Sequence, residues 1–168
     1  MMKRRPRLWM PGGDPNELFP ALAGGVMPGS HGQSRGPNIL VDGDPAAVAG
    51  WDTYAGGTYA DSTLKGAPAV LATVKSGYTF TFIRQNVLTA GQSYRVTGRA
   101  EIQAGDGGSL RIREAGGAVL WTGGVAGSVV EFDVSFTASV TNNLIFDHTG
   151  AAPTDAVKWA AIYLSDET

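Results

Sequence analysis

From Tyr78 onward, apolar side chains recur at every second position, and clusters of small and polar residues break the recurrence into short runs. Tyr78, Phe80 and Phe82 alternate with Thr79, Thr81 and Ile83. Tyr94, Val96, Gly98, Ala100 and Ile102 alternate with Arg95, Thr97, Arg99 and Glu101. Leu110 and Ile112 alternate with Arg111 and Arg113, and Val130, Phe132, Val134 and Phe136 with Glu131, Asp133 and Ser135. Leu144 and Phe146 follow, and Trp159, Ala161 and Tyr163 close the chain. Turn clusters lie between the runs, among them Thr89-Ala90-Gly91-Gln92, Gly105-Asp106-Gly107-Gly108, Gly116-Gly117, Gly123-Gly124 and Thr141-Asn142-Asn143. A period of two belongs to strands with one apolar and one polar face. No segment of this part has a helical period. About eight or nine such strands predict an all-β protein, two antiparallel sheets packed as a sandwich.

Packing must hold this sandwich together, because the chain has no cysteine and therefore no disulfide. A hydrophobic content of 43% is enough for a core, and 24 glycines with only 17% charged residues favour turns over long surface helices. At 168 residues the chain fits one domain plus an extension. No apolar run reaches the roughly 18 residues of a membrane span. Met1 to Arg7 has the charge of a secretory leader, but Pro11, Gly12, Gly13 and Asp14 stand where its apolar stretch belongs, which argues against secretion by that route.

Residues 1–37 are of another kind and are predicted to form an N-terminal arm, with 38–168 as the sandwich domain. Six of the nine prolines fall in the arm (Pro6, Pro11, Pro15, Pro20, Pro28, Pro37). Proline removes a backbone donor and glycine is costly to order, so at most one short helix is expected. Asp14 caps it, Pro15 takes its first position, Glu17 completes a capping box and Gly24 ends it. Its apolar side would be Leu18, Phe19 and Leu22, which need a surface to bury against. Charge divides at the same boundary. The arm holds five basic residues (Lys3, Arg4, Arg5, Arg7, Arg35) against two acidic, a net of +3, and the remainder holds eight basic against thirteen acidic, a net of −5. A protein partner, met through Arg4, Arg5, Arg7 and Trp9 as well as the helix, is favoured over nucleic acid because Leu8, Trp9 and Met10 follow the basic cluster directly. The overall charge of −2 also argues against nucleic acid.

Asn38-Ile39-Leu40-Val41-Asp42-Gly43-Asp44, followed by Gly50-Trp51, resembles the opening of jelly-roll carbohydrate-binding modules of the galactose-binding-like type. Asn86-Val87-Leu88-Thr89-Ala90-Gly91-Gln92-Ser93-Tyr94-Arg95-Val96-Thr97-Gly98 is similar to that family's "L-x-A-G-x-x-Y" turn and strand, and Val157 to Leu164 to its last strand. The resemblance covers about residues 38 to 166. It implies a jelly roll and sugar binding, and such modules also occur on bacteriophage tail fibres and head appendages. In the family the last strand often carries an Asp or Asn, sometimes tied to a structural calcium. Here Ala160 and Ala161 stand in that stretch, so calcium is not expected, although Asp42 and Asp44 carry suitable oxygens.

Catalytic chemistry has little support in the sequence. The two histidines are His31, in the arm, and His148, beside Asp147. No glycine pair sits in a phosphate-binding loop. Glu131 and Asp133 lie roughly 7 Å apart along one strand face, as any such acidic pair does. Sugar binding asks for an aromatic platform with polar groups beside it. Trp121, Tyr54 and Tyr59 are the candidate aromatics, and Arg84, Gln85 and His148 the polar partners. Trp51 and Trp159 are assigned to the core. The sequence thus predicts a non-enzymatic structural component of a phage or phage-like particle. Many copies would be anchored by residues 1–37 to other particle proteins and would display the jelly roll to cell-surface polysaccharide. A stand-alone carbohydrate-binding module is the alternative. For the inward face, Phe132→Asp is expected to abolish soluble, cooperatively folding protein, and a variant melting like the parent in a circular-dichroism scan would reverse the choice of face.

Overall fold

The computed structural model of the chain describes residues 37–40 and 48–167. Ten strands follow a single 3₁₀ turn at Val48–Gly50. They are β1 (Asp52–Thr53), β2 (Gly57–Leu64), β3 (Ala67–Val74), β4 (Phe80–Asn86), β5 (Ser93–Ile102), β6 (Ser109–Glu114), β7 (Val119–Gly123), β8 (Val129–Thr137), β9 (Asn143–Thr149) and β10 (Ala156–Asp166). All pair antiparallel in two five-stranded sheets, ordered β1-β4-β9-β6-β7 and β2-β3-β10-β5-β8. The expected all-β sandwich is therefore present. Among the described residues no helix is long and apolar enough to cross a membrane. The arm, with its predicted helix and the docking residues Arg4, Arg5, Arg7, Trp9, Leu18, Phe19 and Leu22, lies outside the described residues, as do Asp42 and Asp44.

The β2–β3 hairpin carries little alternation in sequence. Its second strand, Ala67–Val74, is mostly small and apolar, as a strand covered on both faces requires. The turn joining the two is Lys65-Gly66, both residues at positive φ (50° and 79°), with Leu64 paired to Ala67. This is the two-residue hairpin geometry that matches strand twist.

The core lies where the inner faces meet. Trp159 and Phe146 are fully buried with ring centroids 5.6 Å apart, one ring from each sheet. Phe132 packs on both, and Trp51 meets Phe146 edge-on at 5.7 Å. Phe132 is seated over Gly98 on the neighbouring strand, where a Cβ would stand 2.4 Å from its ring. That glycine makes room for the aromatic. On the outer face of the same sheet Arg95 meets Asp133 with two hydrogen bonds, and these hold the guanidinium proton still more firmly than usual. Arg99 pairs with Glu131 in register.

The opening Asn38 has a structural part. β3 pairs with β10 only from Ala156 to Ala160, and β10 then carries an irregularity with Ala161 at φ 51°. Beyond it Asn38 takes over: its Nδ2 donates to Ile162 O (3.2 Å) and its Oδ1 accepts from Leu164 N (3.0 Å) and Leu40 N (3.2 Å). Ile39 N adds a bond to Leu164 O. Ala160 and Ala161 are thus the end of one pairing and the start of a bulge.

β4 departs from the simple reading of its alternation. Thr81, Ile83 and Gln85 are buried, whereas Phe80, Phe82 and Arg84 occupy the opposite, partly open face. The larger aromatic set of this strand points away from the core. Asn38→Ala strips three hydrogen bonds from one side chain and is expected to cost about 1–3 kcal/mol, read as a lower urea midpoint with an unchanged slope.

Candidate functional site

Register on the first sheet sets the site. Ile83, Phe146 and Ile112 stand opposite one another on β4, β9 and β6, all fully buried. Because side chains alternate across a strand, the rows on either side of this one face outward. One row is Phe82–Asp147–Arg111 and the other Arg84–Ile145–Arg113, with Phe80–Thr149–Ser109 beyond the first. Aromatic rings line the β4 side of this face and guanidinium groups line the β6 side.

The aromatic part is a contact cluster. Tyr54, just after β1, stacks on Phe80 at 4.7 Å and on Phe82 at 4.8 Å, with the ring planes within 20°. Tyr78 meets Tyr54 edge-on at 5.8 Å and is 37% exposed. Gly56 lies beneath them, since a Cβ there would stand 2.4 Å from the Tyr54 ring and 2.6 Å from that of Tyr78. Tyr59 holds Tyr54 in place from below. Its hydroxyl accepts from Tyr54 N (3.0 Å), lies 2.7 Å from Thr81 Oγ1, and is 3.0 Å from Tyr54 O and 2.9 Å from Phe82 O. One hydroxyl thereby ties β2 of the second sheet to the loop and strand that carry the rings.

The polar part is built on Asp147, whose side chain is 2% exposed. Arg111 donates to it through Nε (3.0 Å) and Nη2 (3.1 Å), and Arg113 through Nε (2.6 Å). Arg84 leans over Phe82 at 5.7 Å, a cation–π distance, and its Nε lies 3.8 Å from Asp52. Next to Arg84 a cavity of about 350 Å³ opens between the 3₁₀ turn and β4, lined by Trp51, Asp52, Gln85 and Asn86 among others. Among the described residues no group of three His, Asp or Glu side chains can hold a metal.

The six residues expected at a sugar site divide. Tyr54 and Arg84 are on this face, and Tyr59 supports it from behind. Gln85 points inward and donates from Nε2 to Gly50 O (3.0 Å), at the rim of the cavity. Trp121 is not the exposed loop platform that its glycine-rich surroundings suggest. It lies on β7 opposite Ile112, folds over Gly123, and packs against Phe132 at 5.5 Å. His148 is fully buried, with Nε2 2.7 Å from Gly107 O. A carbonyl only accepts, so Nε2 carries the proton, and this side chain holds the loop before β6. Phe80, Phe82, Arg111, Arg113 and Asp147, which the sequence reading does not name as site residues, also belong to this face. Glu101, Glu131 and Asp133 lie on the other sheet, so the acid that Arg111 and Arg113 share is Asp147. The alternation in Ser109–Glu114 was a usable signal, since it put both arginines on one face.

No protein-family model matches the chain, and no curated protein sequence does. Solved structures do. The CBM22-1 xylan-binding domain of Xyn10C from Paenibacillus barcinonensis matches with a TM-score of 0.56 at 11% identity, over 80% of this chain and 97% of that one. TmCBM61, solved with beta-1,4-galactotriose, matches with a TM-score of 0.55 at 14% identity, over 79% and 100%. The chain has the jelly-roll fold of carbohydrate-binding modules. The enzymatically active domain of tailspike protein 4 from bacteriophage CBA120 also matches, with a TM-score of 0.51 at 10% identity, over 77% of this chain and 21% of that one.

Asp147→Ala leaves two guanidinium groups without their shared acceptor and is expected to destabilise the domain by about 1.5–3 kcal/mol, measured by chemical denaturation. The same change at the exposed Asp133 should shift the midpoint far less.

Proposed function

We propose that this protein is a non-enzymatic glycan-binding component of a phage or phage-like particle. In this reading residues 1–37 anchor it to other particle proteins, and the jelly roll faces outward and attaches to cell-surface polysaccharide. The observation that carries the binding part is the open face of the first sheet. Aromatic rings there stand beside multi-donor guanidinium groups, held in register by a buried row. Rings take the apolar face of a sugar, and planar donors grip its hydroxyls. The fold shared with a xylan-binding domain and a galactotriose-binding module supports the same reading.

Particle attachment is supported by the composition of the arm, which offers basic groups and a short predicted helix whose apolar side needs a surface to bury against. The likeness of the sandwich to part of a phage tailspike domain agrees with it. Weak contacts suffice in such a setting, because many linked copies multiply avidity by about 10²–10⁴. A stand-alone module would bind glycans equally well but gives the arm no role.

Two measurements test the proposal. On an immobilised glycan panel, Tyr54→Ala and Phe82→Ala are expected to lose binding by about tenfold or more each, the loss of roughly 1.4 kcal/mol or more per ring. Retained binding by both would move the site elsewhere. Removal of residues 1–37 is expected to leave glycan binding intact and to abolish incorporation into particles. Full incorporation of the shortened chain would reject the anchor.

A further inference from the structure

We infer that the glycan bound at this face is anionic, with its acidic group received by Arg84 and Arg113. The inference rests on the glycan-binding reading above and adds the substrate class. The sandwich domain as a whole is acidic, eight basic residues against thirteen. The open face of the first sheet runs against that balance. Arg84, Arg111 and Arg113 stand there against Asp52 and Asp147, and Asp147 lies beneath two of the arginines, so an approaching ligand meets guanidinium first. The outer face of the other sheet shows no such surplus, with Arg95, Arg99 and Lys158 set among Glu101, Glu131 and Asp133.

The donors that remain free decide the ligand's chemistry. Asp147 orients Arg113 through Nε alone, which leaves its Nη1–Nη2 edge open. That edge is the fork that accepts a carboxylate or sulfate with two parallel bonds. Among the described residues Arg84 has no hydrogen-bond partner: its Nε is buried without one, and Asp52 stands too far away at 3.8 Å. Trp51 Nε1 is also buried with no partner among the described residues, and Trp51 and Arg84 line the same cavity. Both orphan groups are donors only, so whatever satisfies them brings acceptor oxygens. Arg84 and Arg113 lie in one row with Ile145 between them, about 9.6 Å apart at two strand spacings. Their side chains are 39% and 26% exposed. A neutral sugar offers hydroxyls to this row but leaves the charge unmatched, whereas an acidic one matches it and still has a ring face for Tyr54 and Phe82.

The experiment compares the full-length protein on matched polymers in affinity electrophoresis: polygalacturonate against its carboxyl-reduced form, dextran sulfate against dextran, and neutral xylan and beta-1,4-galactan. Preference for an acidic polymer over its neutral counterpart, weakening as salt rises, is expected. Loss on carboxyl reduction assigns a carboxylate, and retention on dextran sulfate alone assigns a sulfate. Arg84→Gln is expected to weaken acidic binding by about ten- to a hundredfold, the loss of a charge-assisted pair, with only a small fall in melting temperature, because it gives up a cation–π contact with Phe82 and a long ion pair with Asp52 but no hydrogen bond among the described residues. Arg113→Gln keeps a donor for Asp147 and should lose affinity to a similar degree. Arg95→Gln on the other sheet should bind as the parent. Equal binding to the acidic and neutral members of each pair overturns the anionic class and leaves the glycan face standing. Acidic binding that Arg84→Gln and Arg113→Gln do not change overturns the assignment of these residues. Binding to none of the polymers overturns this inference and the reading beneath it together.

Discussion

The contact between Phe146 of one sheet and Trp159 of the other governs everything outside it. With Phe146 buried, the period of two leaves Asp147 and Ile145 no choice of face. The same holds for Phe82 and Arg84 around Ile83, and for Arg111 and Arg113 around Ile112. Three strands thus present one inward row and two outward rows whose composition is fixed together. A register slip of one residue would carry Asp147 into the core and expose Phe146. The buried row therefore sets both the stability of the sandwich and the make-up of its open face.

The two halves of that face are supported differently. Arg111 and Arg113 are held from within their own sheet by a carboxylate that burial keeps away from water, so their guanidinium planes have few orientations left. The rings are held from the other sheet, through the Tyr59 hydroxyl and the bare backbone of Gly56 and Gly57. Such preorganisation lowers the entropy lost on binding.

Much of the architecture was legible in the alternation. Period-two runs separated by glycine clusters identified the sandwich, and the large aromatics Trp51, Trp159 and Phe132 were placed in the core where the structure has them. The hairpin of β2 and β3 was not legible, because a strand of small residues covered on both sides shows no alternation. At the site, Tyr54 and Arg84 were named from the sequence, and Tyr59 was named for a face that it only supports. Trp121 and His148 sit differently from their sequence reading: glycine-rich neighbours make Trp121 look like part of a loop, but Gly123 is a close-approach position beneath its ring on β7, and His148 is buried on β9 against the Gly107-Gly108 loop.

The sequence by itself determined that the chain makes short antiparallel strands, that no disulfide braces them, and that a proline-rich basic stretch precedes them in the chain. These are local matters of period, turn chemistry and composition. Only the tertiary structure decided which face of β4 looks outward. Phe80 and Phe82 are more apolar than Thr81 and Gln85, so hydrophobicity alone would bury them. The partner strand settles it: Ile83 shares a row with Phe146, and the whole sheet must turn the same way. Likewise only the fold brings Asp147 beneath Arg111 and Arg113, because pairing across strands joins residues more than thirty positions apart in the chain.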